Sequence, residues 1–394
     1  MTLEPVRNLK IDLNASRMQT TARNIQYMYA GTPTTQNGTF MMTTISIRSA
    51  FEGMGSAADG YRSASFERFC DALDLFRTRV QAQYEGVRYP AGTSMHGAVF
   101  NVANGYVDQY GSDVMIPAFL NTYTAMGGSS LNIFPTLARL LPNWNLRYSG
   151  LGKLPWFREH FKSVNINHGY KSIYAVGAYA SYNTFVEYMD GLGFISDVTT
   201  GNPLPRSMFN VANVSINEAF SPLLGVDATF NNNLTAKVEY RSTRVLNLSM
   251  TSVQINEAVS RDWVAGMSYR INNFKFFGLT ASRAKKSKNK RSDANTNASE
   301  NNSRGNTNHD LNMRLDLSYR QQASISRDIA SRTSTASSGN KAFKMSFSAD
   351  YTLSRLLTMS FYYDRQTNTT LLSSNSYPTT TQDFGLSLKF SLTR

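Results

Sequence analysis

The chain has 394 residues and a net charge of +13, yet only 17% of its residues are charged, against 41% hydrophobic and 12% aromatic. That charged share is well below the roughly 25% usual for soluble domains, and Ser, Thr, Asn and Tyr fill the gap. A single cysteine, Cys70, excludes a disulfide scaffold, and 25 Gly and 11 Pro in an apolar-rich chain exclude collagen and wholesale disorder. No stretch approaches about eighteen consecutive apolar residues, so no transmembrane helix is expected. The opening residues MTLEPVRNLKIDLNASR show no secretory leader; a mature or broken N-terminus would read the same.

Residues 1–60 carry strand-like alternation at 5–18 (Leu9, Ile11, Leu13, Ala15) and 39–50 (Met41, Thr43, Ile45, Ile47). Residues 61–150 read as a mixed helical insertion. There Phe66, Phe69, Leu73, Phe76 and Val80 recur at helical spacing, with Glu67, Arg68, Asp71, Asp74, Arg77 and Arg79 elsewhere around the turn. Cys70, on or beside the apolar stripe, reads as a buried, inert thiol. A second helix is expected after Ser112-Asp113, which can cap it, with Pro117 in the first turn or so. Helical insertions in a barrel chain tend to sit in the lumen or cap a mouth, which makes 63–126 plug or gate material. A small packed domain outside the barrel is the rival reading.

Residues 151–394 read as C-terminal transmembrane β-barrel strands, and from about residue 205 onward apolar residues alternate in segment after segment. Leu311, Met313, Leu315, Leu317 and Tyr319 oppose Asn312, Arg314, Asp316, Ser318 and Arg320. Comparable runs centre on Leu234 to Tyr240, Trp263 to Ile271, Phe343 to Tyr351, Leu357 to Tyr363 and Phe384 to Leu392. His168 falls in another such run and reads as a strand residue. A soluble sheet with one wet face alternates in the same way, but its strands usually last about five or six residues. These runs last about nine to eleven, the length that crosses a bilayer at a tilt. Trp263, Tyr319, Tyr351, Tyr363 and Phe384 fit interfacial girdles. The fold expected is all-β: an antiparallel transmembrane β-barrel segment with a small helical insertion.

Loop lengths are expected to alternate if the C-terminus is periplasmic: 367–381 long, 353–355 short, 332–341 long, the turn near Gln321 short, 284–309 very long, Asn272-Asn273 short, 257–261 intermediate and 231–233 short. This scheme makes 234–256 one strand and needs a bulge at Ser242 to Arg244, because Arg244 falls on the apolar face and Val253 and Ile255 change parity. The polar stretch 283–309 reads as a solvated loop that holds much of the local positive charge, without aromatics for base stacking. Nucleic acid is therefore not an expected partner.

No catalytic signature stands out. His96, His160, His168 and His309 are far apart, and no metal-ligand spacing, nucleophile elbow or phosphate loop occurs, so neither an enzyme nor a metal or other cofactor is expected. Charged residues on the wet parity are assigned to a lumen: Lys237, Glu239, Arg241, Arg270, Arg314, Asp316, Arg320, Lys344, Asp350, Asp364 and Lys389. Close to the C-terminus, residues 383–390 read Asp-Phe-Gly-Leu-Ser-Leu-Lys-Phe. Asp383, Gly385, Leu388 and Phe390 follow the form of the signal read by the outer-membrane barrel assembly machinery, a strand that offers a free edge and an oil-facing row.

Several stretches resemble the C-terminal region of the SprA/Sov family, the large outer-membrane translocon of the type IX secretion and gliding-motility system. They are DVMIPAFLNTY (113–123), LPNWNLRYSGL (141–151), FKSVNINHGYKSIY (161–174), VSINEAFSPLLGVDATFNNNLTAKVEYRSTRVLNLSM (214–250) and 351–394. The resemblance implies the C-terminal part of a giant barrel in the outer membrane that passes folded cargo proteins to the cell surface, with plug and gate subunits as partners. Family members are several times longer, so the expectation is a C-terminal fragment or split-gene piece with an open strand set. The alternative is a self-contained porin or small-solute channel; an outer-membrane hydrolase stands third.

Overall fold

A computed structural model describes residues 1–25, 27–28, 34–91, 93–101, 103, 105–128, 130–189, 192–197, 199–272, 274, 310–353, 357–371 and 377–391. The polar stretch 283–309 and Leu392 lie outside these residues. The fold is mostly antiparallel sheet, with 57% strand and 16% helix. Its strands are β1 (Thr2–Val6), β2 (Leu9–Asn14), β3 (Arg17–Asn24), β4 (Thr35–Thr43), β5 (Asn143–Tyr148), β6 (Phe161–Ser181), β7 (Val186–Met189), β8 (Leu192–Ser196), β9 (Pro203–Ser207), β10 (Phe209–Val211), β11 (Asn213–Phe230), β12 (Leu234–Ser249), β13 (Gln254–Ile271), β14 (Leu311–Asp328), β15 (Thr333–Thr352), β16 (Leu357–Thr370) and β17 (Thr379–Phe390). Three α-helices accompany them: α1 (Ala64–Tyr84), α2 (Ser112–Tyr123) and α3 (Pro155–His160).

Strands β11 to β17 form a meander of sequential neighbours. β6 lies beside β11 and forks the sheet. Its free edge pairs with β5 along Ile166 to Tyr170 and with β4 along Ile173 to Ala180, so β5-β2-β1 and β4-β3 leave as two branches. The sheet does not close: β17 borders it at one side and β1 and β3 at the other.

Long strands replace the expected short ones. β14 runs through Gln321 without a turn and β15 begins at Thr333, so the short turn near Gln321 and the long segment 332–341 are overturned. Residues 257–261 lie inside β13, and the expected loop at 367–381 is strand as far as Thr370 and again from Thr379. Hairpins close instead at 250–253 and 329–332. The end of β13 and start of β14, the end of β15 and start of β16, and the end of β17 share one end of the sheet, so the long and the short connection fall on the same side and loop length does not alternate from end to end. β12 pairs with β13 from Leu234 to Ser249 without a register shift, so there is no bulge at Ser242 to Arg244. Val253 changes parity because it ends a turn, at φ 52°. The real irregularity lies in β11 between Phe220 and Leu224, around Pro222.

Helices α1 and α2 and the small sheet β7-β8-β9 make a unit of their own, while α3 packs beside the start of β6. Ser63 caps α1 by accepting from the Phe66 amide; Phe66, Phe69, Leu73, Phe76 and Val80 fill the stripe that the spacing predicted, and Tyr84 extends it by one more turn. α2 departs from expectation: Gly111 is the N-cap, Ser112 is the first helical residue and Pro117 lies beyond the first turn. The Asp113 carboxylate accepts from the Ser207 amide at 2.8 Å, and Arg206 pairs with Asp108 at 2.5 Å, tying β9 to the start of α2. Tyr84 donates to the carbonyl oxygens of Gly193 and Arg206, and burial pushes its hydroxyl well above the ordinary tyrosine range, keeping it a neutral donor.

Candidate functional site

The two faces of the sheet from β11 to β17 are the candidate site. Residues directly opposite each other in an antiparallel ladder share a face, and the registers bring all eleven charged residues assigned from parity to one side. Lys237 lies across from Gly266 and Gly266 from Asp316, Arg314 from Ser348, Lys344 from Ser318, Asp350 from Asn312, Asp364 from Ser346 and Lys389 from Thr358. On this polar face Lys237 reaches Glu239 at 2.6 Å, Arg241 also pairs with Glu239, and Arg270 pairs with Asp310. Arg314 reaches Asp316 at 2.6 Å and Arg320 reaches Asp262 at 2.8 Å. A hollow of about 700 Å³ opens there, lined by Asn233, Thr235, Ser268, Arg270, Asn272, Asp310 and Asn312.

The opposite face carries an apolar band, half-buried or exposed except at Tyr351, which is buried beneath Phe274. Its span is Trp263 to Ile271 in β13, Leu311 to Tyr319 in β14 and Phe343 to Tyr351 in β15, nine residues on each strand. At about 3.4 Å per residue that is roughly 27 Å along the strand, or roughly 21 Å across a bilayer at a 40° tilt, near the ~25 Å apolar belt of membrane barrels. One edge of the band is a row of rings in direct register, Tyr240, Trp263, Tyr319 and Phe343, with Tyr240 and Trp263 centroids 4.6 Å apart. Trp263 is 54% exposed and Phe384, in β17, 74%.

The helical unit covers the same face beyond that edge. Leu246, Leu248, Ile255 and Ile329 join the core made by α1 and α2. Among them runs a line of four charges: Glu218 to Arg244 at 3.3 Å, Arg244 to Glu257 at 4.0 Å, and Glu257 to Arg327 at 2.7 Å. Ser46 and Tyr170 hydroxyls donate to Glu218, Arg244 donates to the Ser49 carbonyl and hydroxyl oxygens, and Arg327 donates to the Tyr61 carbonyl at 2.7 Å with its guanidinium over the Phe66 ring. Residues 63–126 therefore pack on the face opposite the eleven charged residues. Of the four charges in the line only Arg244 was signalled by parity, and it stands on the apolar side because Ser49 and the residues packed around it cover that end of β12.

The other residues singled out from the sequence sit as local packing dictates. Cys70 is 1% exposed in the α1 stripe, and burial pushes its thiol up to about 11. His168 is a β6 residue whose Nδ1 lies 2.6 Å from the Leu223 carbonyl oxygen. Gly385 has a reason apart from any assembly signal: a Cβ there would fall 2.6 Å from the Tyr362 ring that lies across it. Leu388 and Phe390 are exposed on the band face, and Asp383 pairs in register with Asp364 on the polar face. Among the described residues no group of His, Cys, Asp and Glu could hold a metal ion. No known protein family and no curated protein matches the chain.

Proposed function

We propose that the chain is the C-terminal part of a protein-conducting outer-membrane β-barrel, the type IX secretion translocon of the resemblance noted above, exporting folded cargo to the cell surface and supporting gliding motility. The observation that carries this reading is the two-faced sheet: a nine-residue apolar band with an aromatic edge on one side and an ion-paired polar side behind the same strands. The mechanism is passive. The band excludes lipid, and the polar side lines an aqueous path in which compensated charges present no large barrier of either sign to a passing protein. Residues 383–390 serve the barrel assembly machinery, which puts their end of the sheet at the periplasm and the helical unit toward the cell exterior. Plug and gate subunits then come from other chains, since residues 63–126 face away from the polar side.

Deletion of the coding sequence from its source cell, followed by proteomics of the medium and cell surface, tests the assignment. The expected outcome is loss of a defined set of surface proteins and their accumulation in the periplasm, with small-solute uptake unchanged. Normal export with impaired solute uptake would replace the translocon by a porin.

A further inference from the structure

On each strand from β12 to β17 the aromatic residue at the upper edge of the band is followed, two residues further out on the same face, by a polar or cationic side chain. The outer residues are Ser242, Arg261, Gln321, Lys341, Arg365 and Gln382, above Tyr240, Trp263, Tyr319, Phe343, Tyr363 and Phe384. The line is level from Ser242 to Lys341, drops by four residues between β15 and β16, where Arg365 lies across from Met345, and is level again to Gln382. Among the described residues no carboxylate occupies this face from the collar through the band in β12 to β17.

Charge pairing separates these cations from most of those behind them, Lys344 and Lys389 being the polar-face cations that also reach no carboxylate among the described residues. On the polar face Lys237, Arg241, Arg270, Arg314 and Arg320 each reach a carboxylate. Among the described residues Arg261, Lys341 and Arg365 reach none; Arg261 donates only to the Glu52 carbonyl oxygen, at 2.6 Å, which fixes its position and leaves its charge uncompensated. Arg261 and Lys341 flank Gln321 on adjacent strands, roughly 10 Å apart. That spacing lets two phosphates, or one bisphosphorylated headgroup, bridge them.

We propose that this collar binds the phosphate groups of anionic membrane lipid, fixing the depth of the sheet and placing a shell of acidic lipid beneath the helical unit. The proposal rests on the membrane reading of the band and adds a headgroup preference to it. The test uses the full chain with Trp144→Phe and Trp156→Phe, so that Trp263 alone fluoresces, in vesicles carrying lipid brominated on its acyl chains. One series brominates phosphatidylcholine and the other an anionic phospholipid. The mole fraction giving half-maximal quenching is expected to be about fivefold lower for the anionic lipid, since each basic group near the surface enriches it by about that factor. Arg261→Gln with Lys341→Gln is expected to merge the two curves, Lys341→Gln alone to bring them closer, and Arg261→Lys with Lys341→Arg to keep them apart. Coincident curves for the unsubstituted collar overturn the headgroup proposal while leaving the membrane reading standing. No quenching by either lipid overturns both.

Discussion

The line Glu218, Arg244, Glu257 and Arg327 shows how one residue is judged by its surroundings. Burying a charge costs several kcal/mol unless it is paired and hydrogen-bonded, and removing one partner leaves the other exposed to that cost. Arg327, with both Glu257 and the Tyr61 carbonyl as partners, is the most fully buried of the four. Arg327→Ala is expected to cost about 3–5 kcal/mol, while Arg327→Met with Glu257→Gln costs less because no charge is left alone. Cys70, the only thiol in the chain, provides the readout. With its pKa moved from 9.0 to about 11, the native thiolate at pH 8 is roughly a hundredfold scarcer than in the unfolded chain. Iodoacetamide at pH 8 should therefore leave the native protein unlabelled and mark it once urea opens the unit, at lower urea for Arg327→Ala. Fast native labelling would show that α1 does not bury its apolar stripe.

At the scale of the strand, nine residues and eighteen residues mean different things. The band occupies half of β13 and β14; the other half is covered by the helical unit instead of being looped back into a hairpin. Leu315 sits at the centre of its nine-residue stretch, with Arg314 beside it on the other face. Leu315→Arg is expected to cost about 2–4 kcal/mol of membrane stability, the charge on Arg314 being free of that penalty on the wet side. Phe347→Glu and Lys344→Glu make the matching pair on β15. Heat-modifiable mobility of the membrane-inserted chain measures both. Equal effects on the two faces would show that the band does not meet lipid.

For the whole molecule, the consequential fact is that the sheet is open between β17 and the two branches β1 and β3. An unpaired edge in a bilayer leaves backbone donors and acceptors without partners. Purified alone and added to a planar bilayer, the chain is expected to give no steady unit conductance, because no strand among the described residues pairs with the outer edge of β17. A stable, small conductance from the chain alone would favour the porin reading.

By itself the sequence determined the faces. A period of two assigns side chains to opposite sides of a strand, and the registers place all eleven charged residues together where parity put them. The helical stripe from Phe66 to Val80 and the burial of Cys70 were legible for the same local reason. Only the tertiary structure decided what covers each part of a face. Arg244 is anchored by Ser49, 195 positions away in sequence, and Arg327 by Tyr61, 266 positions away. Periodicity is set by neighbours along the chain, whereas burial is set by whichever surface folds against it. The same alternating strand can therefore leave its apolar face open at one end and bury it against a helical unit at the other.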